Sequence, residues 1–306
     1  MPQHVLITGG NGFIAVHVIV LLLERGYNVT ATVRSESKIT YLRKKFASAV
    51  NTNQLQFAIV KDITLSGAFD DVIKSNKFDA VLHMSSPVVF NVADVMKDLL
   101  LPAINGTTEV LKSIKAHGPS VTEEEAKTVP GADYRGSKKL AEKAAWDFIE
   151  NEKPGFDLVY GPALQEVTSL DQLNHSSAAF YAVFSGKDKE LKKAAVWIWV
   201  DVRDVAKAHL AAIETPEAGN NRFLVSEGTF NMGRLSDFIW ANYSERAKAK
   251  GIPKSEVKHR GPPEGTYYPD NIKSKTVLGL QYNSFENMLK DTLDQFVALE
   301  KELGIE

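Results

Sequence analysis

Tyr134 and Lys138 stand four residues apart in Tyr134-Arg135-Gly136-Ser137-Lys138-Lys139, at the head of a stretch in which Ala141, Ala145 and Phe148 keep helical spacing. At that spacing both side chains share one helix face. A lysine ammonium beside a phenol stabilises the phenolate and draws the tyrosine pKa down toward neutrality. The hydroxyl then suits proton donation to a carbonyl that receives hydride. Such pairs also occur as plain helix surface, so their meaning depends on what the rest of the chain places around them.

The strongest neighbouring signal is a phosphate cradle. The apolar stretch Val5 to Thr8 runs directly into Gly9-Gly10-Asn11-Gly12-Phe13-Ile14-Ala15, and Ile14, Val18, Leu21 and Leu22 then mark the core face of a helix. Gly9 permits the tight turn, Gly12 lets backbone approach a pyrophosphate, and small Ala15 lets the helix pack on the strand with its N–H groups toward the anion. Strand-to-helix turns use glycine for purely structural reasons too, but here the strand precedes and the helix follows, which indicates a dinucleotide site at Gly9, Asn11, Gly12, Phe13 and Ile14. The helix ends at Arg25-Gly26, and a second strand, Tyr27 to Val33, finishes on Arg34. An NAD-selective site usually carries Asp or Glu there for the ribose 2′-OH, whereas Arg34, with Ser35 and Lys38 behind it, suits a 2′-phosphate. NADP(H) is therefore the expected cofactor. Glu36 is the residue that would restore an NAD preference, and the plain alternative for Arg34 is a solvated strand end.

Further elements complete the frame. A helix is expected over Thr40–Ser48, strands over Leu55–Val60 and Ala80–His83, and a long helix over Leu99–His117 with Leu100, Ile104, Leu111 and Ile114 inward and Asn105 as its odd polar member. Asp62 and Ile63 follow the third strand, where an adenine ring would lie. Asp62 either bonds an exocyclic amine or caps the helix that carries Phe69, Val72 and Ile73. Met84-Ser85-Ser86-Pro87 would pass over the cofactor, with Ser85 against it. Beyond, helices are expected over Leu173–Gly186, Met232–Ala249 and Asn283–Leu303, strands over Val196–Val200 and Arg222–Val225, and a helix from Asp201, Arg203 and Asp204 to Ala212. Trp197, Trp199 and Phe180 read as core packing before they read as a substrate pocket.

Composition bounds the function. At 306 residues, with 44% hydrophobic and 24% charged residues and a net charge of -2, the chain has an ordinary globular balance and no electrostatic reason to bind nucleic acid or an acidic membrane. It holds 0 cysteines, so disulfides, thiolate nucleophiles and cysteine metal sites are excluded, and its 7 histidines show no metal-ligand spacing. The apolar run Val18–Leu23 is too short to span a bilayer, and the first strand follows Met1-Pro2-Gln3-His4 directly, so a cytosolic protein is expected.

Thr8 to Ala15, Arg34, His83 to Pro87, Tyr134 to Trp146, Tyr160-Gly161-Pro162 and Asp201-Val202-Arg203-Asp204-Val205-Ala206 together resemble the extended short-chain dehydrogenase/reductases. Within them the likeness is nearest to yeast and fungal NADPH-dependent carbonyl reductases of the methylglyoxal/isovaleraldehyde type, relatives of dihydroflavonol reductase and cinnamoyl-CoA reductase. The resemblance implies an α/β fold: a Rossmann doubly wound parallel sheet over about residues 1–160, joined again by 196–212, and a smaller C-terminal α/β substrate lobe over 161–306. It also implies Tyr134 as acid, and Lys138 as the group that binds nicotinamide ribose and tunes that acid.

Two departures touch catalysis. The family has a fifth strand ending in a serine that polarises the carbonyl, yet residues 119–133 contain no apolar run fit for a buried strand. Phe156-Asp157-Leu158-Val159 then passes almost straight into Tyr160-Gly161-Pro162, omitting most of a sixth strand and a proline-bearing segment. Ser85, Ser86, Ser120 and Ser137 are the nearest serines, none in the family's context. Deleting a central strand leaves neighbouring backbone groups unpaired and costs many kcal/mol, against a total stability of about 5–15 kcal/mol. Both pieces are therefore expected to be missing from the 306-residue sequence, near Ser120–Glu123 and Asp157–Tyr160, rather than from the folded molecule.

The expected function is reduction of aldehydes and ketones with NADPH on a small carbonyl substrate, by a monomer or homodimer. A nucleotide-sugar epimerase or dehydratase would want basic residues for a diphosphate, and Ala178–Phe184 offers none. A non-catalytic NADP-binding sensor is the rival that the missing serine favours.

Overall fold

A computed structural model describes residues 3–85, 101–118, 158–192, 197–219, 221–256 and 268–305. By internal contact the chain divides into two compact units, Met1–Pro154 with His209–Arg222, and Gly155–Ala208 with Phe223–Glu306.

In the first unit the elements alternate: β1 His4–Thr8, α1 Phe13–Glu24, β2 Asn28–Val33, α2 Glu36–Lys45, α3 Ala47–Asn51, β3 Leu55–Ile59, α4 Asp70–Ser75, β4 Ala80–His83 and α5 Leu101–His117. The four strands are all parallel, in the order β3-β2-β1-β4. This is the Rossmann-type, doubly wound α/β arrangement. Its centre is β1, whose Val5, Leu6 and Ile7 are fully buried, as a strand covered on both faces requires. At the edge, β3 leaves Ile59 exposed. Helix α1 buries Ala15, Val16, Val18, Ile19 and Leu22. A core cluster of Leu6, Val60, Phe69, Val72, Ile73, Phe78 and Val110, with Leu111 and Ile114 packed against it, includes residues of β1, α4 and α5.

The helix expected over 40–48 is two helices broken at Phe46, whose φ of -111° and ψ of 34° leave the helical region. Asn105 is exposed on α5 rather than turned inward, and it is the next residue, Gly106, that is buried.

The second unit holds β5 Leu158–Tyr160, α6 His175–Phe184, β6 Ile198–Asp201, β7 Gly228–Thr229, α8 Met232–Asn242, α9 Ser244–Lys250, α10 Ile272–Val277 and α11 Phe285–Glu302, while α7, Val202–Glu214, starts directly on β6. β5 is parallel to β6, and β7 runs antiparallel to it. What remains of the expected sixth strand thus pairs in consecutive register, Leu158 with Trp199, Val159 with Val200 and Tyr160 with Asp201. Phe180 and Trp199 are buried in a core with Phe184, Phe230, Leu289 and Phe296, while Trp197 is half-buried.

Arg222–Val225 does not form the expected strand. Glu227 and Phe230 donate their N–H groups to the carbonyls of Trp199 and Trp197, at 2.9 and 2.7 Å, so the edge of β6 is taken by the residues that follow. The helix expected over 232–249 is interrupted at Tyr243, whose hydroxyl bonds Asp294 at 2.6 Å. Residues 119–157, which include the place of the expected fifth strand, lie outside the described residues.

Candidate functional site

At the carboxyl ends of the first unit's strands lies a cleft of about 720 Å³, lined by Gly9, Asn11, Gly12, Thr32, Val33, Arg34, Ser35, Lys38, Val60, Lys61, Asp62, Ile63, Thr64, Met84 and Ser85. Ligands of open α/β sheets bind at this edge. Of the residues expected at a cofactor, Gly9, Asn11, Gly12, Arg34, Lys38, Asp62, Ile63 and Ser85 are brought together here, while Phe13 and Ile14 open α1. Tyr134 and Lys138 lie outside the described residues, as do Ser86, Ser120 and Ser137.

One end of the cleft is built for an anion by backbone. Gly9 has φ of +69°, and a Cβ added there would stand 3.0 Å from Ser85 Cα. Gly12 donates its N–H to the Gly9 carbonyl at 2.9 Å and occupies the N-cap of α1 without any side-chain cap. No acid stands in the first turn, so its N–H groups and the positive helix end stay available for a phosphate. Gly10, not singled out in the sequence, is as constrained: its N–H bonds the Thr32 carbonyl at 2.8 Å, and a Cβ would meet that of Ala31 at 2.6 Å.

The other end is cationic. Arg34 follows directly on β2, Ser35 takes the N-cap position of α2 without a side-chain cap bond, and Lys38 and Lys61 line the same cleft. Glu36 is held instead by Arg43 at 2.6 Å, and it is not among the residues that line the cleft. The carboxylate nearby is Asp62, whose Oδ1 accepts the Thr64 hydroxyl at 2.7 Å and the Thr64 N–H at 2.9 Å. Those bonds, helped by the charge of Arg34, hold its carboxyl below the usual range. Asp62 is not the cap of α4, a position that Phe69 takes. Ile63 forms the apolar part of this wall, seated over Gly106 of α5.

Thr8, at the end of β1, is the polar hub of the turn. Its Oγ1 meets His83 Nδ1 at 2.9 Å, accepts the N–H groups of Met84 and Ser85 at 3.0 and 3.1 Å, and accepts the Ser85 hydroxyl at 2.9 Å. Ser85 is thereby committed to the wall of the cleft.

In the second unit the Asp201-Val202-Arg203-Asp204 motif is scaffold. Buried Asp201 accepts the Arg203 N–H at 2.8 Å and the Arg203 guanidinium, which also reaches Asp291. Buried Asp204 accepts the Asn283 N–H at 2.7 Å, the Asn283 amide at 2.9 Å and Lys207 at 2.9 Å, while burial raises its carboxyl above the usual range. Among the described residues no cluster of three potential metal ligands occurs. No described helix is long and apolar enough to cross a membrane.

The cleft thus offers two anion-binding ends joined by an apolar wall, which fits a dinucleotide with a pyrophosphate and a further phosphate. Residues 5–233 match the model of the NAD dependent epimerase/dehydratase family. The ketoreductase azaE of Aspergillus niger is 38% identical over 333 residues, which cover 96% of this chain and 97% of that protein. The NADPH-dependent methylglyoxal reductase GRE2 of Saccharomyces cerevisiae is 29% identical, over 97% of this chain and 98% of its own. The crystal structure of Gre2 from Candida albicans in complex with NADPH superimposes with a TM-score of 0.76 at 33% identity, covering 97% of this chain and 99% of that one. An alignment of 333 residues is longer than the 306-residue chain, so the Aspergillus protein carries segments that this sequence does not.

Proposed function

We propose that this chain, which belongs to the NAD dependent epimerase/dehydratase family, is an NADPH-dependent reductase of aldehydes and ketones. The observation that carries this is the cleft with an uncapped α1 N-terminus at one end and Arg34, Lys38 and Lys61 at the other. When bound, the reduced nicotinamide supplies the hydride for the carbonyl carbon. The protein supplies the rest. Gly9, Asn11, Gly12 and the first turn of α1, with Phe13 and Ile14, hold the pyrophosphate. Arg34 and Lys38 bind the 2′-phosphate, and Asp62 and Ile63 take the adenine. Ser85 closes the wall near the reactive end.

Tyr134 gives its proton to the carbonyl oxygen, and Lys138 keeps the phenol acidic enough to do so while it binds the nicotinamide ribose. The substrate is a small carbonyl compound taken by the second unit, in a monomer or homodimer working in the cytosol. The relatives named as reductases support this over an epimerase or a sensor. The test is carbonyl-dependent oxidation of NADPH, which the protein should catalyse with at least some members of a panel of small aldehydes and ketones.

A further inference from the structure

Two neighbouring chains deliver cations to one end of the cleft. β2 and β3 run parallel with Val33 opposite Ile59, and the Val60 N–H still bonds the Val33 carbonyl at 2.9 Å, so Arg34 and Lys61 leave the sheet side by side. Val60 turns into the core cluster that holds Phe69, Val72 and Ile73, on the side of α4. Side chains alternate along an extended chain, so Lys61 turns to the other face of the sheet. That is the face of α2. The chain steps outward from β1 to β2 to β3 and then back across to β4, and right-handed crossovers set α2 and α4 on opposite faces. Lys38, in the first turn of α2, and Lys61 thus line the cleft from one face but from two different elements.

Their charge has no answer within the protein. Arg43, Lys74 and Lys112 of this unit are each held by a carboxylate, at 2.6, 3.9 and 2.8 Å. Among the described residues no salt bridge ties Arg34, Lys38 or Lys61. The carboxylate that lines the cleft is Asp62, and its Oδ1 is taken up by Thr64. Against that carboxylate, Arg34 and Lys38 alone leave a single net positive charge, short of the roughly −1.5 to −2 of a phosphate monoester at neutral pH, and Lys61 makes up the difference. We infer that Lys61 is a specificity residue for the cofactor: from the stretch after β3 it supplies a third positive charge to the ribose 2′-phosphate, beside Arg34 and Lys38. This rests on the cleft being the NADPH site proposed above. NADH carries a hydroxyl at that place, so Lys61 discriminates between the two cofactors and does not strengthen the binding of both.

The experiment is titration of the wild type, Lys61→Gln and Lys61→Arg with NADPH and with NADH, at low and at high salt. Lys61→Gln should weaken NADPH binding about three- to tenfold and leave NADH within about twofold of the wild type, the scale of one exposed charge. Lys61→Arg keeps the charge and should stay within about twofold for both cofactors. The NADPH loss in Lys61→Gln should shrink as salt is added. Unchanged NADPH affinity in Lys61→Gln, or an equal loss with NADH, overturns the inference. If Lys61→Gln also lowers the denaturation midpoint, the ratio of the two affinities decides, since a structural loss acts on both cofactors alike. A wild type with no preference for NADPH overturns the cofactor reading itself, a result distinct from a wild-type preference that Lys61→Gln leaves intact.

Discussion

Ile63 fills the space that Gly106 leaves open on α5: a Cβ at position 106 would lie 2.6 Å from Ile63 Cδ1 and 3.0 Å from its Cγ1. The atoms that would have to move are the end of a side chain, and the side they can move toward is the cleft that Ile63 lines. Glycine inside a helix costs roughly 0.5–1 kcal/mol relative to alanine, so removing it recovers helix stability while displacing Ile63. Gly106→Ala should therefore change the denaturation midpoint little and weaken NADPH binding by about three- to tenfold. Parallel chemical denaturation and cofactor titration would check the split, and a variant that loses stability but keeps its affinity would count against it.

Arg34 faces the cleft while Glu36, the acid that would favour NAD, is held by Arg43. NADPH should bind more tightly than NADH, and Arg34→Ala should remove about ten- to hundredfold of that preference, the scale of a charge-assisted phosphate contact. The preference should also shrink as salt is added, because the three cations are exposed. Equal affinities for both cofactors in the unmutated protein would exclude this role for Arg34.

Tyr134→Phe should leave NADPH affinity nearly unchanged and lower kcat on the order of a hundredfold or more, since a proton donor alone is removed. Lys138→Ala should damage both affinity and turnover. Steady-state kinetics beside direct cofactor titration separates the two effects. Full activity in Tyr134→Phe would show that the proton comes from another group.

Much of the first unit was legible because its signals are local. The glycine turn, Arg34 and the strand Ala80–His83 can be read from neighbouring residues, and β4 has the expected limits. What was not legible depends on partners distant in sequence. Gly10 is constrained by Ala31 across the sheet, and Gly106 by Ile63, so neither carries a local mark. Thr32 in β2 and Val60, Lys61 and Thr64 in the stretch after β3 line one cleft because β2 and β3 lie side by side and parallel, which no local pattern announces. Asn105 illustrates the opposite failure, since helical period placed it inward and the structure exposes it. The two-residue β7 is set by the free edge of β6, and the strand propensity of Arg222–Val225 does not decide it.

The 333-residue alignment with the Aspergillus ketoreductase accords with the proposal that two internal segments belong to the molecule and not to this sequence. The protein isolated from its natural source should then have an intact mass above 33.8 kDa. An intact mass of 33.8 kDa would show that the fold does without them and would strengthen the case for a non-catalytic NADP-binding protein.

The central claim is tested most directly by mixing the protein with NADPH and a panel of small aldehydes and ketones and following the absorbance of the reduced nicotinamide. Carbonyl-dependent loss of that absorbance, with the matching alcohol formed and far slower turnover with NADH, is the predicted result. Tight NADPH binding with no oxidation by any carbonyl would contradict it.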